Sequence, residues 1–272
     1  VCAMGFFGRK RAASVPHPRK EPRFDGPLTL ERLEQIFQDC VDFTKRPVSL
    51  GEGGACTLTL CYLSGMVKME RVSDYVLRPL AQDEALARCG TPRQAMDRMK
   101  DGALYNLSAE ERTRLDAAVF DLVNGCCLLL FPGESSVLSL NVGTEEKRSI
   151  SSPSNETVLK GSRDAFVESL RTNTSIVRRH LKAPELRIRE QVVGRQSVTS
   201  VDILYIEGLT NPHLVEQVAA QLADIDIDAV LATGNIEEYI VPAARTAFPL
   251  VQYTERSDRF CAGLAEGRVG IL

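Results

Sequence analysis

LRIREQVVGRQSVTSVDILYIEG, residues 186–208, decides the fold class. Leu186, Ile188 and Val192 alternate with charged residues at a period of two, and Gly194 opens a turn. Val198–Ile206 then returns as a second strand, nearly all apolar from Ile203 to Ile206, so the pair reads as a hairpin. On both sides the period becomes helical. Phe166, Leu170, Val177 and Leu181 mark a helix from Arg163 to about His180, ended by Pro184. Asn211-Pro212 starts another, with Leu214, Val215, Val218, Ala219 and Leu222 inward. An Ile225–Leu231 segment, a short helix near Ile236–Val241 and a helix near Arg256–Glu266 follow. Val269, Ile271 and Leu272 read as the opening of a further strand, so the chain is expected to continue in a larger protein.

Upstream, Leu30, Leu33, Ile36, Phe37 and Cys40 recur at three- and four-residue steps and predict a helix from Leu28, ended by Pro47 and the Gly51–Gly54 cluster. Cys56–Leu63 alternates as a first strand. Short helices are expected at 71–80 and 92–100, the second opened by Thr91-Pro92. Ser108 and Glu111 have the spacing of a capping box ahead of a helix carrying Leu115, Ala118, Val119, Leu122 and Val123, stopped by Asn124-Gly125. Cys126–Phe131 and Val137–Val142 flank Pro132-Gly133-Glu134-Ser135 as a hairpin. Residues 143–161 have no consistent apolar period and read as a linker. The fold class is therefore α/β: two α/β subdomains with mixed sheets, 27–142 and 162–272, joined by that linker. Residues 1–26, with Pro16, Pro18 and Pro22 among basic side chains, read as a solvated, unpacked arm.

Composition excludes several classes. Of 272 residues, 44% are hydrophobic and 25% charged, as in an ordinary globular protein. The net charge of -3 argues against a nucleic-acid partner, although residues 1–23 carry six basic side chains and one acid. The densest apolar run, Cys126–Phe131, falls far short of the roughly 18 to 20 residues that cross a bilayer. No secretory signal is read, and the chain is expected to be intracellular. The eight cysteines include no CxxC; Cys56 and Cys61 fall on opposite faces of one strand, and His17, His180 and His213 are scattered, so no metal or cofactor is expected. Gly51-Glu52-Gly53-Gly54 precedes a strand instead of following one, which does not suit phosphate binding. Asp224, Asp226 and Asp228 lack the glycine and closing glutamate of a calcium loop. No frame for a catalytic nucleophile is present, so no catalytic residue is assigned.

The second lobe carries a specific resemblance. Lys160-Gly161-Ser162-Arg163-Asp164-Ala165-Phe166-Val167-Glu168-Ser169-Leu170-Arg171-Thr172-Asn173-Thr174-Ser175-Ile176-Val177-Arg178-Arg179 is similar to the A-subunit family of bacterial spore germination receptors, the GerA family. Further blocks match in order: Val201–Gly208 with Asn211-Pro212, Ile225–Asp228, and Gln252-Tyr253-Thr254-Glu255-Arg256-Ser257-Asp258-Arg259 leading into Glu266–Val269. Residues 28–142 resemble the family's preceding subdomain more loosely. The resemblance implies a cytoplasmic amino-terminal region of two α/β subdomains, followed by membrane helices. It would act with other receptor subunits in the spore inner membrane, in a homo-oligomeric, ion-conducting complex, as scaffold or transducer and not as an enzyme. Family members commonly have Pro where Ser257 stands, which puts the rigidity of that loop in question.

Within these blocks Gly161, Arg163, Glu168 and Arg178 on one side, and Thr254, Glu255, Arg256 and Asp258 on the other, are the candidate interaction residues. The bland expectation for the arginines is a solvated helix face. The sharper one is that Arg163 and Arg178 meet Glu255 or Asp258 across subdomains or subunits. Two other functions stay open: a cytosolic module closing two lobes over a small molecule, and an enzyme using Cys126-Cys127, which burial in an apolar strand disfavours.

Overall fold

A computed structural model describes residues 3–6, 24–50, 56–104, 109–143, 164–230, 233–240 and 250–272. These form two compact units: one contains residues 3–6, Asp39–Val41 and everything described from Asp164 onward, and the other contains the remainder.

In the first unit a strand β1 (Ala3–Phe6) belongs to the sheet, although the sequence reading expects residues 1–26 to stay unpacked. The second unit opens with α1 (Leu30–Ile36), whose N-cap Thr29 accepts from the Arg32 amide at 3.3 Å. Two strands follow, β2 (Phe43–Ser49) and β3 (Thr57–Leu63), paired antiparallel from Phe43–Leu63 to Ser49–Thr57. The sequence reading takes Pro47 as a helix terminator and misses β2; an outermost strand tolerates a proline because one side of its backbone lacks ladder partners. Then come α2 (Met69–Arg71), a π-helical stretch Val72–Leu77, α3 (Arg78–Gln82), α4 (Glu84–Ala87) and α5 (Pro92–Arg98). Thr91 caps α5 as its spacing requires, accepting from the Gln94 amide at 3.3 Å.

The expected capping box takes another form. Glu111 lies in a strand, β4 (Ala109–Arg112), and the helix α6 (Leu115–Val123) starts after Arg114; Ser108 lies outside the described residues. Glu111 is held by Arg93 at 2.7 Å, Lys100 at 2.6 Å and the Ser136 hydroxyl at 2.8 Å, three donors that outcompete a local cap. The hairpin β5 (Cys126–Leu130) and β6 (Val137–Asn141) completes a sheet of order β2-β3-β5-β6-β4. One face buries Leu58, Leu60, Leu129, Leu138 and Leu140 against Val72, Val76, Leu80, Met96 and Met99. Helix α6 packs near β3, β5 and β6.

The first unit continues with α7 (Leu170–His180) and the hairpin β7 (Leu186–Val193) and β8 (Thr199–Ile206), in register from Leu186–Ile206 to Val193–Thr199. After α8 (Pro212–Ala223), capped by Asn211, the chain forms α9 (Thr233–Ile240), β9 (Val251–Thr254), α10 (Ser257–Ala265) and β10 (Gly270–Ile271). The sheet order is β7-β8-β10-β1-β9. Helices cover both faces. Ile203 and Tyr205 pack with Val215, Val218 and Leu222, whereas Leu204 and Ile206 pack with Val177, Phe260 and Leu264. Burial on both sides is why the Ile203–Ile206 run is unbroken.

Both units are α/β. The sheets, expected to be mixed, are antiparallel at every described strand pair; parallel pairing occurs in the isolated bridge of Cys40 with Ile188. Helix α7 begins at Leu170, not near Arg163, because Ser169 caps it and Asn173 clasps the extended residue Val167. Ile225–Asp228 runs without helix or strand, gripped by the hairpin turn: the Arg195 amide donates to the Ile227 carbonyl and the Gln196 amide to that of Asp228.

That turn needs glycine at 194, where φ is +88° and a Cβ would meet the Ser197 hydroxyl oxygen at 2.3 Å. Gly208 has φ +77° but open space around it. Gly194→Ala is therefore expected to destabilise the chain more than Gly208→Ala, by about 1 kcal/mol or more, as measured by urea unfolding. Glu111 gives a second test. Its carboxyl is lowered to about 2, first by Arg93, then by Lys100 and Ser136. A depressed carboxylate contributes stability above its unfolded pKa and loses it as pH falls toward the folded one. The advantage of wild type over Glu111→Gln should be constant near neutrality and shrink from about pH 4.5 toward 2, read from melting temperatures across that window.

Candidate functional site

The matched polar blocks meet at one corner of the first unit. Extended residues 164–168 run beside the turn from β9 into α10: the Phe166 amide donates to the Glu255 carbonyl at 2.8 Å, and Ala165 bridges Arg256 antiparallel. Asn173 on α7 makes this segment stay. Its amide nitrogen donates to the Val167 carbonyl at 2.7 Å, and its oxygen accepts from the Val167 amide at 2.8 Å. The ring of Phe166 then sets edge-on against Phe260, with centroids 5.3 Å apart.

Thr254 is buried, and its hydroxyl oxygen accepts from the Arg256 amide at 3.1 Å. Arg256 and Asp258 form a two-bond pair, 3.0 Å from Nε and 2.6 Å from the second nitrogen. The guanidinium, with the Arg259 amide, holds the Asp258 carboxyl below its usual range. Between them Ser257 is fully buried. Its hydroxyl donates to the Asp164 carbonyl at 3.0 Å and lies 3.2 Å from His180 Nε2, which in turn lies 3.6 Å from the Asp164 carboxylate. Serine and carboxylate thus approach the same imidazole nitrogen, so the trio lacks the two-nitrogen relay of a hydrolytic triad. It is a clasp, and it fixes the loop that a proline would fix by ring closure.

Arg178 departs from the solvated face expected for it. It is completely buried, donating to the Leu186 carbonyl at 3.0 Å and that of Ala183 at 3.4 Å, with Cys40 Sγ at 3.7 Å. Cys40 donates to the Leu186 carbonyl at 3.4 Å, and Arg187 reaches the Pro184 carbonyl at 3.0 Å. The expected meeting of arginine with Asp258 is made by Arg256, two residues away, whereas Arg178 serves the start of β7. Glu168 is exposed just before the Ser169 cap. Gly161 and Arg163 lie outside the described residues. The sequence reading does not single out Ser257, Asp164, Asn173 and Cys40 as site residues: Ser257, Asp164 and Cys40 meet partners far along the chain, and Asn173 meets Val167 six residues away.

A shallow, open depression lies between β9, α10 and β10, lined by Gln252, Arg259, Phe260, Gly263 and Arg268 among others. Gly270 at its floor has no room for a Cβ, which would stand 2.2 Å from the Phe260 ring. Cys126 and Cys127 show no activation: burial raises both thiols, Cys127 the more strongly. Among the described residues no cluster of three His, Cys, Asp or Glu could hold a metal, and no helix is long and apolar enough to cross a membrane.

The family model described as Bacillus/Clostridium GerA spore germination protein matches residues 31–272. The chain belongs to the GerA family. Among curated GerA relatives, Spore germination protein KA of Bacillus subtilis is 32% identical over 85% of this chain and 42% of its own length. The same organism's membrane protein YfkQ is 34% identical over 89% of this chain and 46% of its own. The chain thus spans about half the length of these relatives. In structure it is similar to the N-terminal domain of the A subunit of the Bacillus megaterium spore germinant receptor GerK3. That likeness has a TM-score of 0.70 at 26% identity and covers 92% of this chain and 93% of that one.

Arg178→Ala should lower unfolding stability by about 2 to 4 kcal/mol, since it removes the guanidinium donor from the Ala183 and Leu186 carbonyls and opens a cavity. Arg178→Lys should recover only part, because one ammonium cannot span the three acceptors. Denaturant titration of the three proteins reads this directly.

Proposed function

We propose that this chain is the cytoplasmic amino-terminal region of a germinant receptor A subunit in the spore inner membrane, acting as a scaffold or transducer without turnover of its own. In the full protein it would work with other receptor subunits and further copies of itself, passing assembly or mechanical information to the ion-releasing part. The observation that carries this reading is the family match over residues 31–272, which is supported by the likeness to the GerK3 A-subunit domain. The geometry is consistent with it: the matched blocks build a rigid corner of mutually satisfied polar groups, and Gly161 and Arg163 adjoin in sequence the segment it fixes. Such a corner can transmit displacement between α7, α10 and the preceding chain.

A second reading, a small-molecule-binding module, draws on the depression beside Arg259 and Arg268. A thermal-shift series with amino acids, sugars and nucleotides separates the two. Saturable stabilisation by about 2.7 kcal/mol at a hundredfold excess over Kd would favour the binder, and flat melting curves would favour the transducer.

The direct test is Asp258→Arg in the full-length protein. It breaks the Arg256–Asp258 pair, a partly exposed contact of about 0.2 to 1 kcal/mol, so the purified chain should melt within a few degrees of wild type. Spores carrying it should germinate several-fold more slowly, measured by the fall in optical density after nutrient addition. Germination at the wild-type rate would remove the corner from the signalling path.

A further inference from the structure

Strand β1 lies inside the first unit's sheet, not at its edge. It pairs antiparallel with β10 through Met4–Ile271 and Gly5–Gly270, and with β9 from Ala3–Thr254 to Phe6–Val251. Strands β9 and β10 are therefore parallel to each other and separated by one strand, with α10 as the crossover between them. The strand that they enclose comes from a distant part of the sequence.

One side-chain bond closes over it. Gln252, Gly5 and Gly270 are lateral neighbours in register, and lateral neighbours share a face of the sheet. On this face the Phe260 ring of α10 lies against Gly270, and the depression lined by Gln252, Arg268 and Gly270 opens here. Arg268, two residues before Gly270, donates to the Gln252 side-chain oxygen at 2.7 Å. That contact joins the strand on one side of β1 to the turn that leads into the strand on its other side. Two strand spacings, about 9 to 10 Å, separate the backbones, a gap that an arginine and a glutamine span together. The second terminal nitrogen of Arg268 donates to Glu266 at 2.7 Å, which keeps the guanidinium in reach. The crossing passes beside position 5, where the sequence has glycine. A glycine inside a strand weakens it and marks the close approach of another group; here the group is the Arg268–Gln252 pair.

We propose that Arg268 and Gln252 form a latch over β1: a closure within the β9–α10–β10 segment that retains Ala3–Phe6 between its two neighbours and must open before that strand can leave. A four-residue strand is short, and short terminal strands belong to the elements that open locally, below the cost of global unfolding. Retention of β1 therefore depends on what holds it besides its own backbone pairing. The latch is placed to open without disturbing the core, because the Arg268 side chain is 20% exposed and that of Glu266 62%. The clasped corner at Ser257 uses none of these bonds, so β1 can part from the sheet while the corner stays closed.

Hydrogen–deuterium exchange of the intact chain, read by mass spectrometry on the peptide that contains Ala3–Phe6, tests this. Arg268→Ala and Gln252→Ala should each speed exchange there by roughly tenfold or more, the factor that goes with one hydrogen bond to a charged group. Both should leave the β7–β8 peptides at the wild-type rate, and Arg268→Lys should fall between wild type and Arg268→Ala. Gly5→Val separates the latch from simple strand pairing by sign. Strand propensity alone would slow β1 exchange in that variant, whereas a side chain beneath the latch speeds it. Unchanged β1 exchange in both Arg268→Ala and Gln252→Ala, slower exchange in Gly5→Val, or acceleration that spreads equally to β7 and β8 would overturn the proposal.

Discussion

A guanidinium with no exposed surface is the constraint around which the first unit is arranged. Removing a cation from water is expensive unless every donor finds a partner, and Arg178 finds the carbonyls of Ala183 and Leu186 and the sulfur of Cys40. That requirement fixes three things together: the rotation of α7 about its axis, the turn after Pro184, and the first residue of β7. It also places Cys40 beside Leu186, so the Asp39–Val41 segment joins the sheet at a defined residue, Ile188. The alignment within the hairpin is set by its two buried faces and the short turn at Gly194.

The corner at Ser257 applies the same logic to neutral groups. Asn173 returns both a donor and an acceptor to Val167, and Ser257 closes the loop onto Asp164. Short side chains that bond backbone leave little rotamer freedom to lose, so the extended segment is held with small entropic cost.

Much of the fold is legible where local chemistry and tertiary packing agree. The β7–β8 hairpin, the Thr91-Pro92 and Asn211-Pro212 helix starts and the β5–β6 pair all follow from period and cap. The departures arise where a distant partner outbids a local preference. Glu111 has capping-box spacing, but Arg93, Lys100 and Ser136 claim its carboxylate from three other places in the chain. Pro47 ends helices, yet it is harmless on an outer strand. Phe166 fits a helical stripe, but the T-shaped contact with Phe260 draws it into an extended segment. For the site, the matching blocks were visible as sequence, and which of their residues bond was not: Arg178 reads as a surface arginine until the fold places Ala183 and Leu186 under it. The parity of a side chain along a helix tells which face it takes, and not what that face will meet.

The position of β1 has a consequence for how the chain is made. Met4 pairs with both Tyr253 and Ile271, so segments very far apart in the sequence are neighbours in one sheet. Pairings of such separation raise contact order and slow folding. The β7–β8 hairpin, with its short turn, can form while synthesis is still under way; the sheet as a whole closes only after Ile271 has emerged, and until then Ile203 and Leu204 of β8 lack their neighbour on that side.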